Sequence, residues 1–257
     1  MRALRTVAVA LLLCMPQAAF AQTERAAAAP AGQIALPEDA IAYIPPRAIG
    51  AAPLLVLLHG ATERPQSMVA RFRAEADRRG IVLLAPKSAG DTWDMIADFD
   101  RRRSQVVRSR SARLNVDPPR INRAIRALLE RASVDPARIA LGGFSDGASY
   151  ALTIGSDNPG FFRTLLVFSP GMLYLSPRRS PGQRVFLSHG SSDPVLSFQA
   201  SKSRFVPQLR KEGLAVTFRE FDGRHELPDI VLQEAVAMWL DMPSESAQSS
   251  ASEARQK

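Results

Sequence analysis

The sequence predicts an α/β fold in which helices cover both faces of a mostly parallel central sheet. Unbroken apolar runs recur along the chain and are typical of strands that are buried on both faces of a sheet. Segments with the length and periodicity of helices alternate with these runs, which is the arrangement of a parallel sheet. No internal repeat and no second domain is evident, so we expect one domain over residues 34–242.

The predicted strands are apolar runs bounded by Pro, Gly or polar residues. The first, residues 41–45, is expected to be an edge strand that ends at Pro45 and Pro46. The second, residues 54–58, is apolar throughout and predicts a strand that is buried on both faces. The remaining strands are predicted at residues 81–84, 138–141, 165–168, 185–188 and 215–221.

The predicted helices are bounded by Pro near their first residue or by Gly after their last. Pro65 suits the first turn of a helix that runs to Arg79 and is closed by Gly80. Asp117 is expected to cap a helix with two prolines in its first turn. Helices are predicted at residues 65–79, 117–129, 148–154, 198–212 and 230–240, with a kink at Pro207 and an end at Gly213 in the fourth.

The first 21 residues have the features of a signal peptide. Arg2 and Arg5 form a basic start, residues 7–15 are apolar, and Ala21 ends a small-x-small cleavage site. The apolar stretch is too short to span a bilayer as a permanent helix. We therefore expect export to the periplasm or the extracellular space, a flexible leader at residues 22–33 and a disordered tail at residues 243–257.

The composition excludes several kinds of site. The only cysteine, Cys14, lies in the predicted signal peptide, so the mature chain has no disulfide, no cysteine nucleophile and no thiolate metal site. We expect no metal and no organic cofactor. Loss of Arg2 and Arg5 leaves 31 basic and 25 acidic residues, a net charge of about +6.

Basic residues concentrate between Arg101 and Arg126. One interpretation is a patch that binds nucleic acid or weakly contacts an anionic membrane surface, and the other is a solvated arginine-rich face. Because neither interleaved aromatic residues nor a nucleic-acid-binding motif accompanies the cluster, we favour the solvated face and expect no nucleic-acid partner.

The segment Gly143-Phe144-Ser145-Asp146-Gly147 has the form Gly-x-Ser-x-Gly and lies between a predicted strand and a predicted helix. A serine at so sharp a turn has a strained backbone and an exposed hydroxyl, and the glycines let the two arms approach each other. A Ser/Gly-rich turn without chemistry is the alternative. The flanking elements favour the first interpretation, with Ser145 as a nucleophile.

A nucleophilic serine needs a neighbouring base, for which the chain offers three histidines. His225 lies in the loop after the last predicted strand and is the predicted base. His59 and His189 each precede a glycine, and we expect them to stabilise tight turns through side-chain hydrogen bonds.

The base in turn needs an acid that orients its ring. Asp193 follows the predicted strand at residues 185–188 and is the predicted acid, while Asp222 and Asp229, close to His225 in sequence, are its competitors. In a parallel sheet, loops at the carboxyl ends of the strands share one edge. The residues expected at that edge are His59, Ser145, Ser169, Asp193 and His225.

The oxyanion of a tetrahedral intermediate needs two hydrogen-bond donors, which we assign to the backbone N–H groups of Ala61 and Asp146. Gly60 either lets the backbone approach the substrate or is a plain turn glycine. Trp93, with Met95, Ile96 and Phe99, either lines a substrate pocket or pins a polar insertion to the core. Met172 and the apolar residues at 173–175 form either another pocket wall or a buried loop.

These features together resemble the α/β-hydrolase superfamily over about residues 41–240. Within it, the chain looks like the phospholipase/carboxylesterase and poly(3-hydroxybutyrate) depolymerase-like secreted esterases. The segments that carry the resemblance are Leu57-Leu58-His59-Gly60, Val134-Asp135-Pro136-Ala137-Arg138-Ile139, the Gly-x-Ser-x-Gly turn, His189-Gly190-Ser191-Ser192-Asp193-Pro194-Val195 and Gly223-Arg224-His225.

The resemblance implies a Ser145–His225–Asp193 triad and an oxyanion hole formed by the Ala61 and Asp146 amides. The carboxylesterase branch often has Gln after the nucleophile, where this chain has Asp146, so its substrate choice does not transfer directly. Secreted polyester depolymerases usually carry disulfides and extra binding domains, which makes a polymer substrate less expected here.

We therefore predict an exported serine hydrolase that cleaves a small-molecule carboxylic ester through an acyl-enzyme on Ser145. A peptidase or a thioesterase would use the same residues. A non-catalytic binding protein on the same fold is the third possibility, and loss of the triad would be its sign.

Overall fold

An eight-stranded, mostly parallel sheet forms the centre of the computed structural model, which describes residues 31–97, 116–175 and 182–241. The strand order is β1-β2-β4-β3-β5-β6-β7-β8. β2 is antiparallel to both β1 and β4, and all other neighbouring strands are parallel. The strands are β1 (Gly32–Ala35), β2 (Ile41–Ile44), β3 (Ala52–Leu58), β4 (Val82–Ala85), β5 (Val134–Phe144), β6 (Thr164–Phe168), β7 (Arg184–Gly190) and β8 (Ala215–Phe221).

Helices pack on both faces of this sheet. The helices are α1 (Pro65–Arg79), α2 (Asp117–Leu129), α3 (Asp146–Asp157), α4 (Phe198–Ala200), α5 (Val206–Lys211) and α6 (Asp229–Leu240). One apolar core contains buried side chains of α2, α3 and α5, and a second contains those of α1 and α6. Alternate residues of the central strands supply the two cores, for example Leu54 to the first and Leu55 to the second. The predicted fold class is confirmed.

The uniformly apolar runs form strands, as predicted. Every residue of β3 is buried, because parallel neighbours flank it and helices cover both of its faces. The helix predicted at residues 65–79 is present with the same bounds, and Gly80 ends it with a left-handed φ of 70°. No helix in the three described ranges is long and apolar enough to cross a membrane.

The edge strands of the sheet are β1 and β8, so the edge position predicted for residues 41–45 is wrong. β2 pairs on both of its sides and is buried throughout. β1 begins at Gly32, inside the segment expected to be a flexible leader. Its four residues alternate between exposed and half-buried, so it is held by backbone pairing and shows no apolar run in the sequence.

Asp117 does not cap the helix that it begins. The N-cap residue is Val116, and the Asp117 carboxylate accepts hydrogen bonds from the N–H groups of Ala89 (2.6 Å) and Asp94 (2.7 Å) instead. Asp117 is fully buried, and burial raises its pKa. The carboxylate that was expected to cap its own helix therefore binds backbone N–H groups that lie far from it in sequence.

The helix predicted at residues 198–212 is interrupted. α4 leads into a π-helical turn, Ser201–Phe205, and α5 follows. Pro207 lies in the first turn of α5, where its missing N–H cannot continue a regular helix from the preceding turn. The expected disruption at Pro207 thus takes the form of a widened turn before the proline.

Part of the arginine cluster can be placed. Arg120 and Arg123, both on α2, form ion pairs with Glu38. The Arg126 Nε donates to the Asn122 side chain 3.3 Å away on the same helix. These three side chains have partners within the protein, in keeping with the solvated-face interpretation, whereas residues 101–115 lie outside the described ranges.

Candidate active site

Ser145 occupies a strained turn between β5 and α3. Its φ of 58° and ψ of −120° lie outside the regions that a serine normally adopts. The Ser145 N–H donates to the Phe168 carbonyl oxygen at 2.9 Å, which fixes the turn to the neighbouring strand β6. The Ser145 carbonyl oxygen accepts from the N–H groups of Ala148 and Ser149, at 3.0 and 3.1 Å, and so begins the helix.

The two glycines of the motif are required by close backbone contacts. A Cβ on Gly143 would lie 2.3 Å from the carbonyl oxygen of Gly147. A Cβ on Gly147 would lie 2.1 Å from the carbonyl oxygen of Leu58, at the end of β3. Both distances are far below van der Waals contact, so only glycine permits this crossing of the turn, the helix and β3.

A chain of hydrogen bonds joins Ser145, His225 and Asp193. His225 Nε2 lies 2.9 Å from Ser145 Oγ, and its Nδ1 lies 2.7 Å from Asp193 Oδ2. Because a carboxylate accepts hydrogen bonds, Nδ1 carries the proton and Nε2 is free to accept one from Oγ. The His225 ring also packs against Phe144, 4.8 Å between ring centroids. Among the described residues, Asp222 and Asp229 have no hydrogen bond to His225.

Backbone contacts fix the acid loop to the base loop. The N–H groups of Ser191 and Ser192 donate to the carbonyl oxygens of Phe221 (2.9 Å) and Gly223 (3.0 Å). A Cβ on Gly190 would lie 2.3 Å from the Arg224 carbonyl oxygen, so this glycine is needed for the two loops to approach. The loops after β7 and β8 therefore behave as one unit.

The Asp193 carboxylate is held in its ionised form. Burial alone would raise its pKa, but hydrogen bonds from the N–H of Leu196, from His225 and from the N–H of Val195 hold the pKa below its usual value. Asp193 Oδ1 accepts both backbone bonds, at 2.9 and 2.8 Å. The carboxylate can thus orient the His225 ring and stabilise its protonated form.

The loop after β3 brings Gly60 and Ala61 beside Ser145. A Cβ on Gly60 would lie 3.4 Å from Ser145 Cβ, so the backbone here approaches the serine closely. The Ala61 N–H has no acceptor among the described residues. Position and direction of the loop are set by Glu63, whose Oε2 accepts from the Gly60 N–H at 3.1 Å.

Glu63 is itself fixed by Arg71 of α1. The Arg71 guanidinium donates to both carboxylate oxygens of Glu63, at 2.6 and 3.1 Å. Burial acts to raise the pKa of Glu63, but the Arg71 ion pair and the Gly60 N–H hold it below its usual value. Arg71 also lies over the Phe144 ring, 4.9 Å from its centroid. The neighbours of Phe144 are therefore Arg71 on one side and His225 on another.

Asp146 is the first residue of α3 and its side chain has a partner. Thr92 Oγ1 donates to Asp146 Oδ2 at 2.6 Å. This bond directs the carboxylate toward the loop after β4. The backbone N–H of Asp146 belongs to the helix N-terminus, where the helix dipole favours negative charge.

His59 and Trp93 support the Gly60 loop from the protein interior. Both side chains are fully buried, their rings lie 4.9 Å apart, and the Trp93 indole N–H donates to the His59 carbonyl oxygen at 2.9 Å. His59 Nε2 accepts from the Ser88 N–H (3.2 Å), so Nδ1 carries the proton and donates to the Gly60 carbonyl oxygen (2.8 Å). Burial lowers the pKa of His59. The Trp93 side chain is inaccessible to solvent and is bonded to the Gly60 loop, which favours the second of its two predicted roles, packing against the core.

Met172 packs partly buried against the core, close to α3. Ser149 Oγ accepts from the N–H groups of Gly171 (3.0 Å) and Met172 (3.1 Å) and lies 3.3 Å from the Ser145 carbonyl oxygen. The loop after β6 is thereby tied to the turn that carries Ser145. Met95 and Ile96 also pack against the core, and Phe99 lies outside the described residues.

Sequence reasoning missed two side chains that position this site. Glu63 holds the Gly60 loop, and Ser149 holds the Met172 loop. Each acts through a partner far away in the chain or in a loop, so neither periodicity nor a motif indicates it. Within the described ranges, no group of three or more His, Cys, Asp or Glu residues could hold a metal ion.

Comparisons with known proteins identify the family and support the fold. The phospholipase/carboxylesterase family matches residues 39–239. Esterase PE8 is 20% identical with a TM-score of 0.59, covering 80% of this chain and 98% of its own. The phospholipase/carboxylesterase from Dyadobacter fermentans DSM 18053 is 19% identical with a TM-score of 0.56, covering 81% of this chain and 99% of its own.

A third similar structure is the Bacillus cereus carboxylesterase, 16% identical with a TM-score of 0.55, covering 78% of this chain and 92% of its own. The comparison with curated proteins gave no match. At these identities the solved structures support the fold, and the family match supports the hydrolase activity. The chain belongs to the phospholipase/carboxylesterase family of α/β hydrolases and is a carboxylesterase-type hydrolase.

Proposed function

We propose that this protein is an exported serine esterase that cleaves small-molecule carboxylic esters through an acyl-enzyme on Ser145. The observation that supports it is the hydrogen-bond chain from Ser145 Oγ through His225 to Asp193, with links of 2.9 and 2.7 Å. Such a chain activates a hydroxyl that is otherwise a poor nucleophile at neutral pH.

In the first half-reaction, Ser145 Oγ attacks the ester carbonyl carbon while His225 Nε2 accepts the hydroxyl proton. Asp193 accepts the Nδ1–H of His225 and stabilises the imidazolium as it forms. The N–H groups of Ala61 and Asp146 donate to the oxyanion of the tetrahedral intermediate. The imidazolium then protonates the alcohol oxygen as the bond from carbonyl carbon to alcohol breaks.

In the second half-reaction, water attacks the acyl-enzyme. His225 Nε2 accepts a proton from this water, and the same two amides hold the second oxyanion. Collapse of that intermediate returns the proton to Ser145 Oγ and releases the carboxylic acid. No step requires a group other than the side chains and amides named here.

The role of Ser145 is tested by Ser145→Ala. We expect kcat to fall by about 10⁴-fold or more on an activated ester, because the nucleophile is lost. The unfolding midpoint should stay near that of the natural chain, since the methyl group fits the same turn. A fluorophosphonate probe should label the natural chain and a Ser203→Ala control, but not Ser145→Ala. Ser203 is exposed and lies away from this chain of hydrogen bonds.

Two outcomes would overturn this proposal. Hydrolysis retained by Ser145→Ala would remove Ser145 from the mechanism, and failure of the natural chain to react with the probe would favour a binding protein. Matched oxyester, thioester and amide substrates with the same acyl group distinguish an esterase from a thioesterase or a peptidase. Export is tested by cell fractionation with sequencing of the mature N-terminus, which we expect at Gln22.

A further inference from the structure

The Asp193 carboxylate has a fourth neighbour that the triad does not use. Two backbone N–H groups occupy Oδ1, and His225 occupies Oδ2. His189 Nε2 lies 3.1 Å from the same Oδ2, on the carboxylate oxygen that faces His225. The side chains of His189 and Asp193 are both inaccessible to solvent, so no water competes for this position.

The partners of His189 define which of its ring nitrogens carries the proton. Nε2 lies 3.2 Å from the Leu196 carbonyl oxygen, to which its N–H donates, and 3.1 Å from Asp193 Oδ2, which is a close electrostatic neighbour of the same N–H. Since neither partner can donate, Nε2 carries the hydrogen. Nδ1 lies 2.8 Å from Ser201 Oγ, which can donate its hydroxyl proton to it. Burial lowers the pKa of His189, which keeps the ring neutral.

Ser201 occupies a backbone irregularity that places its hydroxyl against His189. It is fully buried and is the first residue of the π-helical turn between α4 and α5. Such turns are uncommon within helices and are frequent at functional sites. The hydrogen bond from Ser201 spans the loop that contains Asp193, so it links both ends of the acid loop through one imidazole.

We propose that His189 is a positioning residue, whose neutral ring, oriented by Ser201, holds the Asp193 carboxylate in the rotamer that serves His225. This inference rests on the proposed function, because Asp193 must be the triad acid for its rotamer to affect the rate. We call the resulting chain of side-chain contacts the relay; its five members are, in order, Ser201, His189, Asp193, His225 and Ser145. On the neighbouring strand β8, Glu220 is the register partner of His189 and pairs with Lys202 at 2.8 Å.

A pair of His189 variants separates the N–H donor from the ring volume. His189→Phe keeps an aromatic ring and removes the donor, and we expect kcat to fall about 10–100-fold with KM within about twofold. His189→Gln returns an N–H donor, and it should recover most of that rate. Without the partial positive charge of the Nε2–H beside Oδ2, the Asp193 carboxylate becomes a stronger acceptor for His225. The acidic limb of the kcat/KM profile should therefore move to higher pH by about half a unit in His189→Phe but not in His189→Gln.

A second position tests the same relay if His189→Phe does not fold. Ser201→Ala removes the hydroxyl that orients the ring, and we expect about a 3–10-fold loss in kcat with the same direction of shift in the acidic limb. Ser203→Ala is the matched control, because Ser203 lies in the same π-helical turn with an exposed side chain bonded to Gln199. It should leave kcat and the pH profile unchanged.

The outcomes distinguish this inference from the proposed function. If the natural chain reacts with a fluorophosphonate probe at Ser145 but folded His189→Phe keeps the natural kcat and acidic limb, the positioning role is wrong and the triad stands. The same holds if Ser201→Ala keeps both. A fall in unfolding midpoint with an unchanged pH profile would assign His189 a structural role only. No reaction with the probe in any variant would overturn the proposed function itself.

Discussion

Substitution of Gly147 by alanine should damage both the fold and the site, because a methyl group there meets backbone and not a movable side chain. The Cβ would lie 2.1 Å from the Leu58 carbonyl oxygen and 2.6 Å from that of His59. Ordinary contact begins at 3.4 Å, so α3 and the end of β3 must separate by about 1.3 Å. Overpacking of this kind costs about 1–3 kcal/mol, and we expect the upper end of that range.

The same displacement would separate the two amides of the proposed oxyanion hole, because Ala61 follows β3 and Asp146 begins α3. A misplacement of about 1 Å costs on the order of 100-fold in rate, so we expect kcat/KM on an activated ester to fall by about that factor. Urea unfolding gives the loss in stability, and kcat/KM is measured at a temperature where the variant stays folded.

Two alanine variants calibrate the Gly147 result. A Cβ on Gly160 meets nothing within 4 Å, so Gly160→Ala should change neither quantity. At Gly155 a Cβ would lie 2.4 Å from a methyl of the Leu165 side chain, which can move, so stability should fall with the rate retained. If Gly147→Ala unfolds at the same urea concentration as Gly160→Ala and keeps its kcat/KM, then the steric argument for the turn is refuted.

Two further predictions concern buried polar groups. Burial lowers the pKa of His59 and His189 in the folded chain, so below about pH 6.5 the unfolded chain binds more protons than the folded chain. The free energy of unfolding should therefore decrease as the pH is lowered, by up to about 1.4 kcal/mol per pH unit for each residue. Urea unfolding between about pH 7.5 and 5 measures this slope, which His189→Gln should reduce by half; a flat profile would contradict the neutral, buried imidazoles. Tyr150→Phe removes the hydroxyl that donates to Asp94 Oδ1 (2.9 Å) and keeps the ring stacked on Trp93, so we expect a loss of about 1–2 kcal/mol in unfolding free energy with kcat within about twofold. An unchanged urea midpoint would show that this bond contributes nothing.

The predictable part of this protein is the part that local pattern controls. β3, α1 and β8 follow from an apolar run, a Pro–Gly pair and alternation, and their bounds are close to those expected. The strand register then brings loops that are far apart in sequence to one edge, as with Gly143 beside both Leu58 and Val167. Ser145, Asp193 and His225 could therefore be proposed together from sequence order alone.

The sequence did not indicate features whose cause is a distant partner. Asp117 looks like a helix cap because Pro118 and Pro119 follow it, yet distant N–H groups in the loop after β4 bind its carboxylate. β1 has too little apolar character to be recognised, since backbone pairing to β2 holds it. The contact between His189 and Asp193 depends on the fold of the loop between them, which no periodicity describes.

One buried cluster around Asp94 connects the start of α2 to α3, the helix that follows Ser145. Asp94 Oδ2 accepts from the Val116 N–H, directly before α2, at 2.8 Å. Asp117 closes the other half of this clamp through the Asp94 N–H. Tyr150 of α3 also donates to Asp94, so the clamp is fixed to the helix that begins at the serine turn.

Trp93 lies between this clamp and the Gly60 loop, stacked on Tyr150 and bonded to the His59 carbonyl oxygen. The Ala97 N–H donates to the Trp93 carbonyl oxygen at 2.9 Å, so Ala97 and Val116 are held by the same buried cluster that holds the Gly60 loop. Substitution of Asp94 or Asp117 should therefore disturb both the start of α2 and the Gly60 loop beside Ser145.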